Sequence, residues 1–401
     1  MHFDSSILSK LLKPLDRRHF KSLVERYEAD AYDKRFSSWQ HLVALVFAQV
    51  SGADSLRAIE TGFNAQSHLH YHLNCDRVSR STLADANARR PSALFSGVLE
   101  RLLGGLGRKQ RKAARAGLRL IDSTPIKLGE MFKWPTATGR TRGLKLHVQH
   151  DLNTGLPVTT EITAANVNDV HFGVDLVLEK ALTYVFDKAY CDYAWWTKIN
   201  ETGAFFVTRP KTNLRWMRQT PRLLEHAKGD GFEVLSDHNV VHKNQGNAKL
   251  DMPLRRISIR RNADQVEGGQ ESNGKTFDII SNDMSRSAVD IATCYKARWQ
   301  IELLFKWVKQ NLNIKTFIAR NENAVRLQIL AAMIAFVLLS IARKTANALA
   351  RTNVSQRRFT ELAASFIHTR RDINQIDKPP PIKPSKAKNL SNQNQMELNY
   401  A

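Results

Sequence analysis

Cysteine is scarce in this chain. Cys75, Cys191 and Cys294 are its only three in 401 residues, and they stand far apart with no CxxC spacing. That leaves neither a disulfide framework nor a cysteine zinc site, and it fits a reducing cytoplasm. Acidic residues are also in short supply. Sixty Lys and Arg outnumber 38 Asp and Glu, for a formal charge of +22 and a pI near 10. Such an excess favours a polyanion as partner, most simply nucleic acid. The opening MHFDSSILSKLLKPLDRRHF lacks a basic stretch followed by an apolar run, so no secretion signal is expected. Only one long apolar run occurs, LQILAAMIAFVLLSIA at 327–342. Its 16 residues between Arg326 and Arg343 are short for a membrane span and read as a buried core helix, so no membrane is expected as a partner.

What is present changes character along the chain. The first hundred residues have apolar positions at helical spacing, as in HLVALVFAQV and SALFSGVLERLLGGL, and read as a separate module. Within it, SLRAIETGF and RVSRSTLADANARR read as two helices, the second capped by Ser79 or Ser81 and carrying Arg80, Arg89 and Arg90 on its polar side. A helix-turn-helix-like DNA reader and a plain helical bundle with solvated arginines both fit. Between them, His68, His70 and His72 lie two apart. On a strand that spacing would aim three imidazoles at one face like zinc ligands, but the surroundings are helical and no carboxylate completes a set.

The basic run GGLGRKQRKAARAG (104–117) is the candidate linker. Beyond it the period shifts to two. LRLIDST, GLKLHVQHD and LPVTTEITA are strands, the last two joined by a turn at Asn153, Thr154 and Gly155. A helix from Asp169, a strand LTYVFDKAY, a helix YAWWTKINETG and a strand AFFVTRP follow, giving the order β-β-β-α-β-α-β. Five parts result: a helical DNA-binding domain (1–105), the first part of an α/β core (117–211), a β-rich insertion (212–275), the second part of the core (276–350), and a C-terminal helical region with a disordered basic tail (351–401).

Asp122 in LRLIDST and Asp187 in LTYVFDKAY each end an apolar strand. A helix over YKARWQIELLFKWVKQNL (295–312) places Tyr295, Arg298, Glu302, Lys306 and Lys309 on one polar stripe beside an apolar one of Ala297, Ile301, Leu304, Phe305, Val308 and Leu312. Alone, that stripe also fits a solvated ladder of ion pairs. If the two strands are neighbours and the helix crosses them, three carboxylates converge, and their repulsion calls for hard cations, Mg²⁺ or Mn²⁺. Two such ions suit an in-line displacement at phosphorus.

With these residues in view, the chain resembles the DDE transposases of the insertion-sequence-4 family. Tyr295, Arg298, Glu302 and Lys309 meet its Y-x2-R-x3-E-x6-K motif, Asp122 its first aspartate, and Asp187 in DKAYCDY its second. The resemblance spans most of residues 30–345. It implies an RNase H-like mixed sheet with flanking helices, a β-rich insertion between the second Asp and the Glu, and an all-α N-terminal domain. The implied activity is cut-and-paste transposition, with cleavage at element ends, a hairpin intermediate and strand transfer. Implied partners are double-stranded DNA, as terminal inverted repeats and target, and a second copy of the chain; the implied setting is the bacterial cytoplasm at the nucleoid. The resemblance also implies phosphate contacts at Lys145 and His147 in GLKLH, and an aromatic that stacks on a flipped base. Trp216 fits that part, as does a structural role; Trp299 is equally open. Two rivals stand beside this reading: another RNase H-like nuclease, and a non-catalytic DNA-binding repressor derived from a transposase.

Overall fold

A computed structural model describes residues 5–378, apart from 32, 34, 112–116, 135–141, 213, 225–226, 244–249, 263–275, 313 and 315. The tail expected to be disordered, from 379 onward, lies outside the described residues. Six helices open the chain: α1 (Ile7–Leu12), α2 (Arg17–Arg26), α3 (Ser38–Ser51), α4 (Leu56–Asn64), α5 (Arg80–Arg89) and α6 (Ser92–Arg111). Ser37, Ser55 and Ser79 cap α3, α4 and α5, each accepting from the backbone N–H three residues on. The candidate linker is therefore partly helical, since α6 runs through Gly104 and Gly105 to Arg111; 112–116 lies outside the described residues. Packing of α6 against α2 and α11 overrides its glycines' weak helix preference.

The core alternates as its period dictates: β1 (Leu118–Lys127), β2 (Gly143–Asp151), β3 (Leu156–Ala164), α7 (Asp169–Asp175), β4 (Thr183–Phe186), α8 (Tyr193–Glu201) and β5 (Phe205–Thr208). Between β2 and β3, Gly155 takes φ +57° and donates to Asp151 O at 2.8 Å, closing the hairpin where a left-handed residue is needed. Next come β6 (Trp216–Pro221), β7 (Lys228–Gly229), β8 (Phe232–His242), β9 (Leu254–Arg261) and β10 (Thr276–Ser281). All ten strands form one mixed sheet in the order β3-β2-β1-β4-β5-β10-β9-β8-β6, with β7 on β8. β1, β4 and β5 run parallel, β2 pairs antiparallel with both β1 and β3, and the whole is an RNase H-like arrangement. The segment read as an insertion supplies β6 to β9, which continue that sheet through β10.

Four helices close the chain: α9 (Ala288–Lys296), α10 (Trp299–Asn311), α11 (Glu322–Ala350) and α12 (Gln356–Ser365). The single helix expected over 295–312 is two. Ala297 and Arg298 form a turn with i→i+3 hydrogen bonds, Arg298 N to Tyr295 O at 3.1 Å and Ile301 N to Arg298 O at 3.1 Å, which tightens the chain between α9 and α10. The apolar run at 327–342 lies inside α11, whose 29 residues make it long and apolar enough to cross a membrane by length and composition. Length alone therefore does not set this helix apart from a membrane span. What marks α11 as a core helix is its burial, with Leu327, Ile329, Ala331, Ile334, Val337 and Leu339 at 0 % exposure. It packs against α3, α5, α6 and β3, so the helical N-terminal region and one face of the sheet share a continuous apolar core. Residues 67–73 form a 3₁₀ helix, where a spacing of two turns the three histidines about 240° apart rather than onto one face. His70 is buried instead, its Nε2 2.9 Å from Phe63 O.

Candidate active site

The site is built where the parallel part of the sheet stops. β1 and β4 pair from Leu118↔Thr183 to Ile121↔Phe186, and the next residues are Asp122 and Asp187, level on adjacent strands. Only on the β4 side does Asp122 lie at an end. β1 continues to Lys127 along β2, so Asp122 sits in mid-strand, contrary to the strand-end expectation. Side chains alternate across a strand, so Leu120, Asp122 and Thr124 share one face and Ile121 and Ser123 the other. The first face meets α10, whose Ile301, Leu304, Phe305 and Val308 are buried in the same apolar cluster as Leu120 and Val185.

Across that contact, Arg298 Nη1 donates to Asp122 Oδ2 at 3.2 Å and Arg298 Nη2 lies 2.5 Å from Glu302 Oε1. Lys309 Nζ donates to Thr124 Oγ1 at 2.6 Å. Ser123 N donates to Asp122 Oδ1 at 2.8 Å. Asp187 caps a short 3₁₀ turn, accepting from Ala189 N at 3.2 Å. Burial pushes the Asp122 carboxyl up to about 6; Arg298 and the Ser123 N–H pull it down, and the nearby charges of Asp187 and Glu302 push it up again. Asp122 therefore feels both other carboxylates, and the Arg298 guanidinium stands between it and Glu302. So placed, no three Asp, Glu, His or Cys side chains among the described residues close around a metal position.

The donor set nonetheless suits a hard divalent cation. It consists of the carboxylate oxygens of Asp122, Asp187 and Glu302, the hard donors such ions take, two of them now paired with the Arg298 guanidinium.

Tyr295 is on α9, not on the helix of Glu302, and is 7 % exposed. Its ring lies 5.8 Å from the Arg298 guanidinium carbon and 6.0 Å from the Phe277 ring. Burial pushes its hydroxyl up. Lys306 is exposed on α10. The phosphate contacts expected at Lys145 and His147 belong to the opposite face of the sheet. There Lys145 Nζ donates to Val167 O at 2.9 Å and pairs with Asp169 at 3.0 Å. His147 is fully buried, stacked on Phe172, with Nε2 2.8 Å from Thr163 Oγ1; burial pushes it down to about 4. A neutral, enclosed imidazole is no phosphate ligand, and the expectation for His147 is corrected.

Arg90 is corrected in the same way. It is 2 % exposed and donates to Ser37 O, Phe36 O and Asp33 Oδ2, so it ties α5 to the chain before α3. Arg80 and Arg89 are exposed, Arg89 with Asp33 at 3.6 Å. α4 and α5 are separated by residues 65–79 rather than by the short turn of a helix-turn-helix. Trp216 is half-buried, edge-on to His242 at 6.4 Å, whereas Trp299 is 52 % exposed.

Sequence reasoning passed over Thr124, although it lies two residues from Asp122 and so shares its face. It also passed over Asp169 on α7, which accepts from Ser123 Oγ at 2.8 Å on the other face of the sheet. The second aspartate of DKAYCDY, Asp192, caps α8 by accepting from Trp195 N at 2.8 Å.

Residues 114–338 match the family described as the transposase DDE domain. The chain is a DDE transposase. Residues 4–74 match a second family, a domain of unknown function (DUF4372). Among relatives, a putative transposase, y4zB, of Sinorhizobium fredii is 46 % identical over 318 residues, 79 % of this chain and 85 % of that protein. A probable transposase for insertion sequence element IS5377 of Geobacillus stearothermophilus is 29 % identical over 66 % of this chain and 67 % of its own length. A putative transposase for insertion sequence element IS4SA of Synechocystis is 25 % identical over 67 % and 73 %. The transposase is thus an enzyme that acts on DNA, of a family that works with divalent metals.

Proposed function

We propose that Asp122, Asp187 and Glu302 are the metal-holding catalytic carboxylates of an insertion-sequence-4-type transposase, with Mg²⁺ as the resident ion and Mn²⁺ as its substitute. The chain would cut double-stranded DNA at the terminal inverted repeats of its element and join the freed ends to target DNA. It would act as a homodimer, at the nucleoid of a bacterial cytoplasm. The observation that carries this reading is the register of β1 on β4, with Asp122 and Asp187 next after the rung Ile121↔Phe186 and Arg298 linking Asp122 to Glu302.

When bound, paired divalent cations activate the attacking oxygen and stabilise the leaving one. The chain's own residues do the rest. Asp122 and Asp187 fix two oxygen donors on a rigid sheet, and Glu302 brings a third from a helix buried along its apolar side. Lys306 and Lys309 follow Glu302 by four and seven residues, about one and two turns, and so meet successive backbone phosphates of a strand laid along α10. Arg298 offers a planar fork to one phosphate, and Tyr295 packs beneath its guanidinium. Arg80 and Arg89 on α5 are exposed cations of the N-terminal region that would bind the repeats.

The test is a labelled duplex carrying the end of the element, read from the DNA flanking its gene. Nicking followed by joining to a target plasmid supports a transposase that completes the reaction. Cutting without joining favours the nuclease reading, and binding without either favours the repressor.

A further inference from the structure

Arg298 has a commitment that conflicts with the phosphate role just assigned to it. Its two terminal nitrogens serve two different carboxylates, Asp122 at 3.2 Å and Glu302 at 2.5 Å, and its side chain is 18 % exposed. Its Nε is buried without a hydrogen-bond partner. The fork that would grip one phosphate with two parallel hydrogen bonds is therefore splayed and incompletely used. A divalent cation held by Asp122 and Glu302 needs the oxygens that Arg298 now occupies. Two cations cannot share that space, because their repulsion rises steeply at contact distance in a partly buried site.

We infer that Arg298 is a displaceable counter-ion. Without metal it holds Asp122 and Glu302 in place against their mutual repulsion. An entering divalent cation expels it, and the released fork turns to a DNA phosphate. It stands in the turn between α9 and α10, one residue before α10 begins, so its swing need not disturb the buried face of that helix. Metal and DNA then assist each other through one side chain, since each favours the state in which Arg298 is free, and linkage makes that assistance reciprocal. Arg298 is on this account a positioning residue for the carboxylates as well as a DNA contact. The inference rests on the proposed metal site.

The full chain, freed of divalent ions, is titrated with Mn²⁺ in a calorimeter, and its melting temperature is read with and without saturating Mn²⁺. Arg298→Gln is expected to bind Mn²⁺ several-fold more tightly than the wild type and to gain more melting temperature from it. Equal or weaker binding overturns the inference. Arg298→Lys, which keeps a charge but cannot bridge two carboxylates, is expected to bind Mn²⁺ more tightly as well, and it decides the matter if Arg298→Gln does not fold. Glu302→Gln separates the two levels of the argument. If it binds Mn²⁺ like the wild type, or if the wild type binds none, the metal site and the counter-ion fall together. If it loses Mn²⁺ while neither Arg298 variant gains, only the counter-ion role falls. A second readout follows the released fork: Ca²⁺ in place of EDTA should steepen the salt dependence of binding to the element-end duplex by about one phosphate contact in the wild type and not in Arg298→Gln. An unchanged wild-type slope overturns the release.

Discussion

Ile121 on β1 faces Phe186 on β4 as the last rung of a parallel ladder, and the residue after each is an aspartate. Adjacent strands lie about 4.8 Å apart, so two carboxylates stand level on neighbouring backbones with little freedom to separate. Asp122→Asn, Asp187→Asn and Glu302→Gln should therefore each abolish nicking by several orders of magnitude. DNA affinity should survive, because a charge of +22 spread over the chain supplies it. Gel shift and nicking measured on the same folded preparations check this. Loss of binding together with cleavage would refute the division between chemistry and affinity.

The hydrogen bond from Lys309 Nζ to Thr124 Oγ1 anchors the far end of α10 to the face that carries Asp122. Lys309 needs reach and charge rather than a fork. Lys309→Arg should retain much of the cleavage rate, and Lys309→Ala should lose roughly tenfold or more, the worth of one charge-assisted contact of about 1.5–3 kcal/mol. Single-turnover cleavage of a labelled end discriminates these outcomes. Equal rates for the two variants would leave Lys309 a structural tie to Thr124 with no part in the reaction.

Arg90 looks in the sequence like its neighbours Arg80 and Arg89, yet it is buried against Asp30, Asp33 and two carbonyls. Its removal strands those groups. Arg90→Ala should cost about 3 kcal/mol or more, as for other broken buried ion pairs, with no change in the DNA affinity of the folded fraction. Arg80→Ala should leave stability within about 0.5 kcal/mol. Urea unfolding and gel shifts on both variants decide which arginine is structural.

These contrasts show where the sequence speaks and where it is silent. Local periodicity is a property of a few consecutive residues, so the order β-β-β-α-β-α-β, a serine cap on α5 narrowed to Ser79 or Ser81, of which Ser79 serves, and the apolar stripe of α10 are legible. Burial of a polar side chain depends on partners far along the chain. His147 and Arg90 look like solvated cations until Phe172 and Asp33 are seen beside them. Strand pairing is equally non-local: nothing in LRRISIRR or FEVL announces that β9 and β8 extend the core sheet through β10. The turn at Ala297 and Arg298 contains neither Gly nor Pro, so the helical pattern ran on across it.

Histidines held low by burial set a pH dependence. Burial pushes His41 down to about 3, and His147 and His150 down to about 4, from an ordinary 6.5. Their folded values lie below the unfolded one, so the unfolded chain takes up more protons as pH falls. The stability they contribute is present above about 6.5 and lost progressively toward 4. Asp122, raised to about 6, works the other way between roughly 6 and 4, but burial also lowers His70 and His368, so the histidines outnumber it. The melting temperature in EDTA should therefore fall as pH drops from 6.5 to 4, and His147→Gln should flatten the fall in stability by on the order of 1 kcal/mol per pH unit. A melting temperature that holds or rises on acidification would show these rings to be accessible to protons in the folded state.

The last expectation concerns the aromatic that would receive a flipped base. Two tryptophans compete. Trp216 is half-buried on β6, edge-on to His242, whose Nε2 lies 3.1 Å from the Tyr193 hydroxyl, so its ring is already engaged in packing. Trp299 is 52 % exposed at the start of α10, next to Arg298 and one turn before Glu302. A base stacks only on a free ring face, and each such stack is worth about 1–3 kcal/mol. Availability and nearness to Glu302 both favour Trp299. With 2-aminopurine placed near the cleavage site, fluorescence should rise on unstacking and then be quenched against the indole in the wild type and in Trp216→Ala. Trp299→Ala should keep the bright, unstacked signal and cleave more slowly at the hairpin step. If Trp216→Ala instead keeps that bright signal, the receiving ring belongs to β6, and His242 must move aside when DNA binds.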